Sequence, residues 1–347
     1  MTIANNTKYL AFALGVITTS VNIQGPLYAV YALNDGYGVL ATTLAFSCYV
    51  LGVVPVLLAL GGVSDQIGRR KTVLISLGLS VAATCLMLLC PYTRALAMAR
   101  FMLGVATALM AATATAYMLE LLDTSGDAHT LDTASATALV TASTTIGFGL
   151  GPALTTVSLM FYDSQRPASF FLLLAGAILS VALVCLLPET APNRDSKFKL
   201  SLRLPIFTRE VIWYGGAILL CWATTGLVLS IIPSVLAEHG LAKYAGISSM
   251  LAISCGLLFQ PLARKLSPLL SSKVGLFILL PSYVLLAWGA LNASLVAILL
   301  AAFAASSSCY GFVYLGGLSG VAKSAGANQA RASAGYFLMA YLGFSVP

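Results

Sequence analysis

A succession of long apolar stretches leaves this chain one solvent to fold in. They run over approximately 9–31, 39–60, 72–90, 95–121, 134–160, 168–188, 211–233, 244–263, 273–291, 294–321 and 332–347. A hydrocarbon layer of ~30 Å is crossed by ~20 residues of α-helix. Within lipid each backbone N–H and C=O must find a partner inside the protein, which leaves helices or a closed barrel. The stretches do not alternate apolar with polar residues, so they are not barrel strands. Only 8% of the residues are charged and the mean hydropathy is +0.94, whereas a soluble domain carries roughly 25% charged residues. The expected fold is an all-α polytopic membrane protein with the lipid bilayer as its partner.

The net charge of +7 would suit nucleic acid, but the basic residues lie between the apolar stretches, so no nucleic-acid partner is expected. With the N-terminus in the cytoplasm and the helices alternating, fourteen of the eighteen Lys and Arg fall on the cytoplasmic side: Lys8; Arg69, Arg70, Lys71; Arg194, Lys197, Lys199, Arg203, Arg209; Arg264, Lys265, Lys273; Lys323 and Arg331. Such a bias is the positive-inside pattern. The chain therefore reads as a multi-pass protein of a bacterial inner (plasma) membrane with a cytoplasmic N-terminus. The run from Tyr9 to about Leu33 is too long for a signal-peptide core and reads as an uncleaved first helix. The seven cysteines lie within apolar runs without a C-x-x-C pair, as small packing residues do. No metal-ligand spacing, phosphate loop or nucleophile–base set stands out. Neither an enzyme nor a cofactor or metal site is expected.

The polar stretch Glu189–Arg209 divides six helices from five. It sets an N-terminal bundle at 1–190, a central cytoplasmic loop at 191–210 and a C-terminal bundle at 211–347. A shift of 195 residues brings Gly61 onto Gly256, Gly68 onto Ala263, Arg69 onto Arg264, Arg70 onto Lys265 and Pro152 onto Pro347. Asp65 meets Gln260, so the acid is lost in the second copy. Parallel halves related by a pseudo-two-fold axis are a known transporter plan. On this reading both bundles have six helices. The second is truncated in helix 11, because the last stretch reaches Pro347 while still apolar.

The loop Gly61-Gly62-Val63-Ser64-Asp65-Gln66-Ile67-Gly68-Arg69-Arg70-Lys71 joins helices 2 and 3. Gly61 permits close helix approach and Gly68 a tight turn. Asp65 is unfavourable near the C-terminal end of its own helix and gains by facing the N-terminus of another. Arg69, Arg70 and Lys71 anchor the loop on the basic side and can pair with carboxylates. The plain alternative is a basic turn obeying the positive-inside rule. The segment resembles the signature loop of the major facilitator superfamily: Gly, three residues, Asp, a base, one residue, Gly, then bases. Gln66 stands where a base is usual. The resemblance implies a conformational latch between the halves in the outward-facing state. Asp65 would then face the start of helix 11 near Ala332, and Arg69 would pair with Glu120 or Asp123.

Two further segments resemble the exporter branch of that family. Leu96-x-x-x-Arg100-x-x-Leu103-Gly104 is similar to its helix-4 motif, with Leu103 in place of Gln. Arg100 is either an interfacial arginine snorkelling outward or a buried cation tied to substrate or proton movement. Gly147-Phe148-Gly149-Leu150-Gly151-Pro152 is similar to the helix-5 antiporter motif, although Ala153-Leu154-Thr155-Thr156 follows the proline. The plain alternative is a packing face and kink made by Gly147, Gly151 and Pro152. Leu187-Pro188-Glu189-Thr190 echoes the end of helix 6 in these exporters.

The family resemblance implies a cavity lined by helices 1, 4, 7 and 10. Asn22, Gln24, Tyr28, Arg100, Trp222, Tyr310 and Tyr314 are the candidates, with interhelical bonding or interfacial belts as the alternative roles. The function expected is secondary active transport of a small amphipathic compound or metabolite by alternating access. Proton-coupled efflux is the first form, as in multidrug-resistance antiporters, by a monomer. A proton-coupled importer, or a non-transporting sensor or remnant on the same scaffold, is the alternative. The coupling proton follows from the resemblance alone, since no acid falls convincingly at mid-membrane; Asp35 and Glu120 come nearest.

Overall fold

The computed structural model of the chain describes residues 4–123, 133–162, 164–191 and 204–345. These residues form helices, turns and bends, and no strand occurs among them. Ten helical spans are long and apolar enough to cross a membrane: α1 (Asn6–Asp35), α2 (Leu40–Ala59), α3 (Arg69–Leu89), α4 (Thr93–Leu122), α5 (Ala136–Phe161), α6 (Ala168–Cys185), α7 (Arg209–Glu238), α8 (Ala242–Ala263), α9 (Pro268–Leu291) and α10 (Leu295–Ala325). An eleventh helix, α11 (Gln329–Ser345), follows. Leu33, Leu40, Leu51, Phe161, Phe277 and Leu291 point outward and stay exposed, as side chains bathed in lipid do.

Two spans are broken in a way that apolar patterning does not reveal. In α1 the regular helix stops at Asn22, Gly25–Leu27 is a 3₁₀ turn, and the α-helix resumes at Tyr28. In α7 it stops at Ser230 and resumes at Ile232. The cause is Pro26, within the 3₁₀ turn of α1, and Pro233, in the first turn of the second piece of α7. Proline has no N–H to give, and its ring excludes the carbonyl one turn back. The short pieces beyond the breaks, Tyr28–Asp35 and Ile232–Glu238, pack against each other. In α10 the stretch Ser307–Val313 widens into a π-helix, an irregularity that often marks a functional site.

Contacts divide the helices into two groups. α1 packs on α4, α5 and α6, α2 on α4, and α3 on α4 and α6. α7 packs on α11, and α10 on α8, α9 and α11. The longest seams between the groups are α5 with α8 and α2 with α11, besides the contact between the end pieces of α1 and α7. Small residues set the closest approaches. Side chains at Gly147 and Gly151 would strike the α1 backbone at Gly15 and Thr19, and one at Gly343 would strike Leu219 of α7. Gly52 and Gly104 let α2 and α4 cross with each Cα against the other backbone. At the α5–α8 seam, Gly246 lies against the Pro152 carbonyl and its N–H bonds Thr156 Oγ1 at 2.9 Å. At the α2–α11 seam, Ser47 Oγ donates to the Ser345 carbonyl at 2.8 Å.

Candidate functional site

Arg69, Arg70, Lys71, Arg264, Lys265, Lys323 and Arg331 share one end of the bundle, here called the basic side. Gly61 lies in the turn that ends α2, and Val63–Ile67 forms a short helix. Gly68 then takes φ +116°, a value that favours glycine, and α3 begins. The first N–H groups of a helix have no partner within it. Here Glu189 supplies one: its Oε1 accepts from Arg69 N at 2.6 Å and from Arg70 N at 3.3 Å. A Cβ at Gly68 would fall on that same carboxylate.

The Arg69 side chain gathers three acceptors. Its Nε and Nη2 reach Glu120 at 3.1 and 2.8 Å, Nη2 reaches Asp65 at 2.5 Å, and Nη1 donates to Ser64 Oγ at 2.6 Å. Thr190 Oγ1 donates to Glu120 Oε2 at 2.6 Å. Arg70 Nη1 donates to the Leu187 carbonyl at 3.1 Å, and Tyr117 O–H to that of Pro188 at 2.7 Å. The loop is thus bound to α4 and to the end of α6. Of the two acids expected for Arg69, Glu120 is the one it meets; the Asp123 side chain lies outside the described residues. Asp65 does not bond α11 in this conformation. It pairs with Arg69, four residues on, which needs no help from the other helix group. Ala332 is buried with Val211 and Tyr336 instead, and Arg331 Nε donates to the Leu204 carbonyl at 2.9 Å.

The second cluster surrounds Arg100 on α4, about 10 Å along the axis from the helix start. Arg100 is 0% exposed, so it does not snorkel. Its Nη1 donates to the Val21 carbonyl at 2.7 Å and to Asn22 Oδ1 at 3.3 Å, and Nε donates to the Phe46 carbonyl at 3.3 Å. The break in α1 lies just beyond Val21 and Asn22. The guanidinium lies over the rings of Phe46 and Tyr49, 4.4 and 4.8 Å from their centroids. Each such cation–π contact contributes roughly 0.5–2 kcal/mol. No carboxylate among the described residues pairs with Arg100, and its Nη2 has no hydrogen-bond partner among them.

Further rings continue from this point into the other helix group. Phe46 meets Phe344 at 4.8 Å, and Tyr49 meets Tyr341 at 6.3 Å and Phe344 at 6.0 Å. Trp222 meets Tyr310, Tyr341 and Phe344 at 6.1, 5.1 and 5.9 Å. The indole Nε1–H of Trp222 is buried without an acceptor. Rings from α2 therefore lie over Arg100, and rings from α11, α7 and α10 continue from them in one aromatic cluster.

Of the candidate lining residues, Asn22, Arg100, Trp222 and Tyr310 join this cluster, and Tyr28 joins its edge through Phe46 at 6.3 Å. Asn22 also donates to the Phe148 carbonyl of α5 at 3.2 Å. Gln24 bonds back to the Val21 carbonyl within the α1 break. Tyr314 stands one turn on, beside Phe337 at 6.3 Å. Phe46, Tyr49, Tyr341 and Phe344 are not among the expected lining residues. The signal for them is the pair of three-residue spacings, Phe46-x-x-Tyr49 and Tyr341-x-x-Phe344, each of which sets two rings on one helix face. Among the described residues no group of His, Cys, Asp and Glu could hold a metal.

Apolar spanning helices in two groups, closing over a buried polar and aromatic centre, define a polytopic membrane transporter. The chain belongs to the Major Facilitator Superfamily, whose family model matches residues 10–346, and is a secondary transporter rather than an enzyme. No curated protein sequence matches it significantly. Solved structures do match in fold. The nucleoside transporter NupG is 14% identical with a TM-score of 0.74, over 99% of this chain and 88% of that one. The human organic anion transporter MFSD10 is 15% identical with a TM-score of 0.62, over 99% and 91%. The peptide transporter POT is 15% identical with a TM-score of 0.69, over 98% and 86%. At such identities the likeness concerns the fold, and the differing cargoes in these names select none for this chain.

Proposed function

We propose that the chain moves a small amphipathic compound or metabolite by alternating access, as proton-coupled export. The observation that carries this reading is the aromatic cluster from both helix groups that begins on Arg100 at Phe46 and Tyr49 and continues through Tyr341, Phe344 and Trp222. Residues 1–190 and 211–347 are the two rocking bundles, and 191–210 is the tether between them. The protein works as a monomer in a bacterial inner membrane, with the basic side and the N-terminus in the cytoplasm. Contact between Tyr28–Asp35 and Ile232–Glu238 closes the far side in the conformation described.

Asp65 then exchanges Arg69 for the N-terminus of α11 when the basic ends approach and the protein turns outward. Gly61, Gly68, Arg69, Arg70 and Glu120 hold the loop ready for that exchange. Gly147, Gly151 and Pro152 let α5 slide between α1 and α8. Export and the proton rest on the resemblance of the helix-4 and helix-5 segments to antiporters. The test compares deletion and expression strains across a compound panel, with and without a protonophore. The expected result is lower accumulation of at least one compound on expression, abolished when the gradient collapses. A rise would support import, and unchanged accumulation of every compound would remove the export reading.

A further inference from the structure

The central site contains an arginine whose charge no described residue balances. Arg100 is fully buried, and its contacts are backbone carbonyls, one amide oxygen and two aromatic faces. The described acids that make contacts are engaged elsewhere. Asp65, Glu120 and Glu189 serve Arg69 and Arg70 on the basic side, and Asp35 accepts from the backbone N–H of Thr93 at 2.5 Å. A buried charge without a counter-charge is unfavourable in a membrane, and such a residue persists where it faces a partner or a pathway. A second buried donor without an acceptor, Trp222 Nε1, lies two rings away: Tyr49 touches Arg100, Phe344 and Tyr341 touch Tyr49, and Trp222 touches both of these. Two unsatisfied donors and no acid among the described residues, wrapped in aromatic faces, describe a receptor for negative charge on an apolar body.

We infer that the transported compound is an organic monoanion, a carboxylate on a flat apolar body. The carboxylate takes Nη2 of Arg100 as its charge partner, and the body lies among Tyr49, Trp222, Tyr310 and Tyr341. This rests on the reading of the ring-lined centre as the substrate site. The rings of Phe46 and Tyr49 on α2 cover Arg100 in the conformation described, and those of Tyr341 and Phe344 on α11 pack on them. Separation of the α2–α11 seam, which the Ser47–Ser345 hydrogen bond spans, is the movement that admits the anion. An organic cation would meet the guanidinium unshielded, so the site excludes it by repulsion as well as by lack of acceptors.

The test uses the purified full chain in liposomes with three probes of one shape: naphthoate, its neutral amide, and the naphthylmethyl ammonium cation. Binding is read by tryptophan quenching and transport by uptake. Naphthoate is expected to bind at least about 10-fold more tightly than the amide, the lower end of what a charge-assisted hydrogen bond supplies. Arg100→Gln should level the two, with amide binding unchanged, and Arg100→Lys should restore most of the preference. The conservative variant separates loss of charge from loss of fold. Equal affinity for naphthoate and amide in the wild type, or a preference that survives Arg100→Gln, overturns the inference. Transport of the amide or the cation without naphthoate would leave the transporter reading standing and remove the anion. If none of the three binds or moves, the centre is not a site for flat organic anions and the inference falls, while the export reading is decided by the compound panel.

Discussion

Two arginines buried in the same half of the molecule are treated in opposite ways. Arg69 is enclosed by Asp65, Glu120 and Ser64, and its own N–H is taken by Glu189. Arg100 is more deeply buried and meets carbonyls and rings instead. The first arrangement supplies its own counter-charges: Asp65, Glu120 and Glu189 meet Arg69 within the protein, while Glu189 Oε2 alone of these carboxylate oxygens is buried without a hydrogen-bond partner. The second is incomplete, because polar groups and rings lower the cost of the charge without neutralising it. A closed network is suited to carrying force between helices, and an open one to receiving a ligand.

The largest effect should come from breaking the closed network at its tightest point. Gly68→Ala places a Cβ at φ +116° and against the Glu189 carboxylate. Backbone strain and lost charge-assisted bonds together should cost about 3–5 kcal/mol in thermal unfolding of the purified chain. Gly36→Ala, with φ +67° and open space around it, should cost only about 1 kcal/mol. Equal losses at the two glycines would mean that the Glu189 cap contributes little.

A direct exchange of the two arginines' roles comes next. Arg69→Gln removes the counter-charge that Glu120 and Asp65 share and should lower stability by about 3 kcal/mol. Arg100→Gln removes a charge that had no counter-charge and should change stability by less than about 1 kcal/mol. The same unfolding assay ranks them, and the reverse order would show that Arg100 is a structural keystone. Naphthoate at 100 times its wild-type Kd should then stabilise the wild type by ~2.7 kcal/mol through mass action, and Arg100→Gln, with its about 10-fold weaker binding, by only ~1.4 kcal/mol. The smallest effect belongs to the seam in front of Arg100. Ser47→Ala removes one interhelical bond, about 0.6 kcal/mol in a membrane protein. Distances between spin labels on α2 and α11 should shift toward the separated state by about 2–3-fold in population; an unchanged distribution would take Ser47 out of the gate.

Much of this architecture was legible before any coordinates. The eleven apolar stretches reappear as α1–α11 with ends moved by a few residues, because crossing lipid is a demand on length and apolarity that each stretch meets alone. The loop Gly61–Lys71 was legible as a unit for a similar reason: its glycines, acid and bases act within one turn of each other. The breaks in α1 and α7 were missed, although Pro26 and Pro233 announced them, since an apolar run looks the same through a break. Glu189 was seen only as an echo at the end of α6. Its seat on the first N–H groups of α3 joins residues 120 positions apart.

The sequence by itself determined that the chain lies in lipid as a series of helices, and where its charges and small residues stand along them. Tertiary structure decided that Arg69 meets Glu120, that Arg100 meets no acid among the described residues, and that helices α2 and α11 bring rings to the same cluster as α7 and α10. The physical reason is that membrane helices are apolar on nearly every face. Hydrophobic patterning, which in a soluble protein tells a helix which side turns inward, says little about rotation here. Which face looks at the centre is set by close packing at Gly52, Gly104, Gly147 and Gly343 between partners far apart in the chain, and that is a property of the assembled bundle.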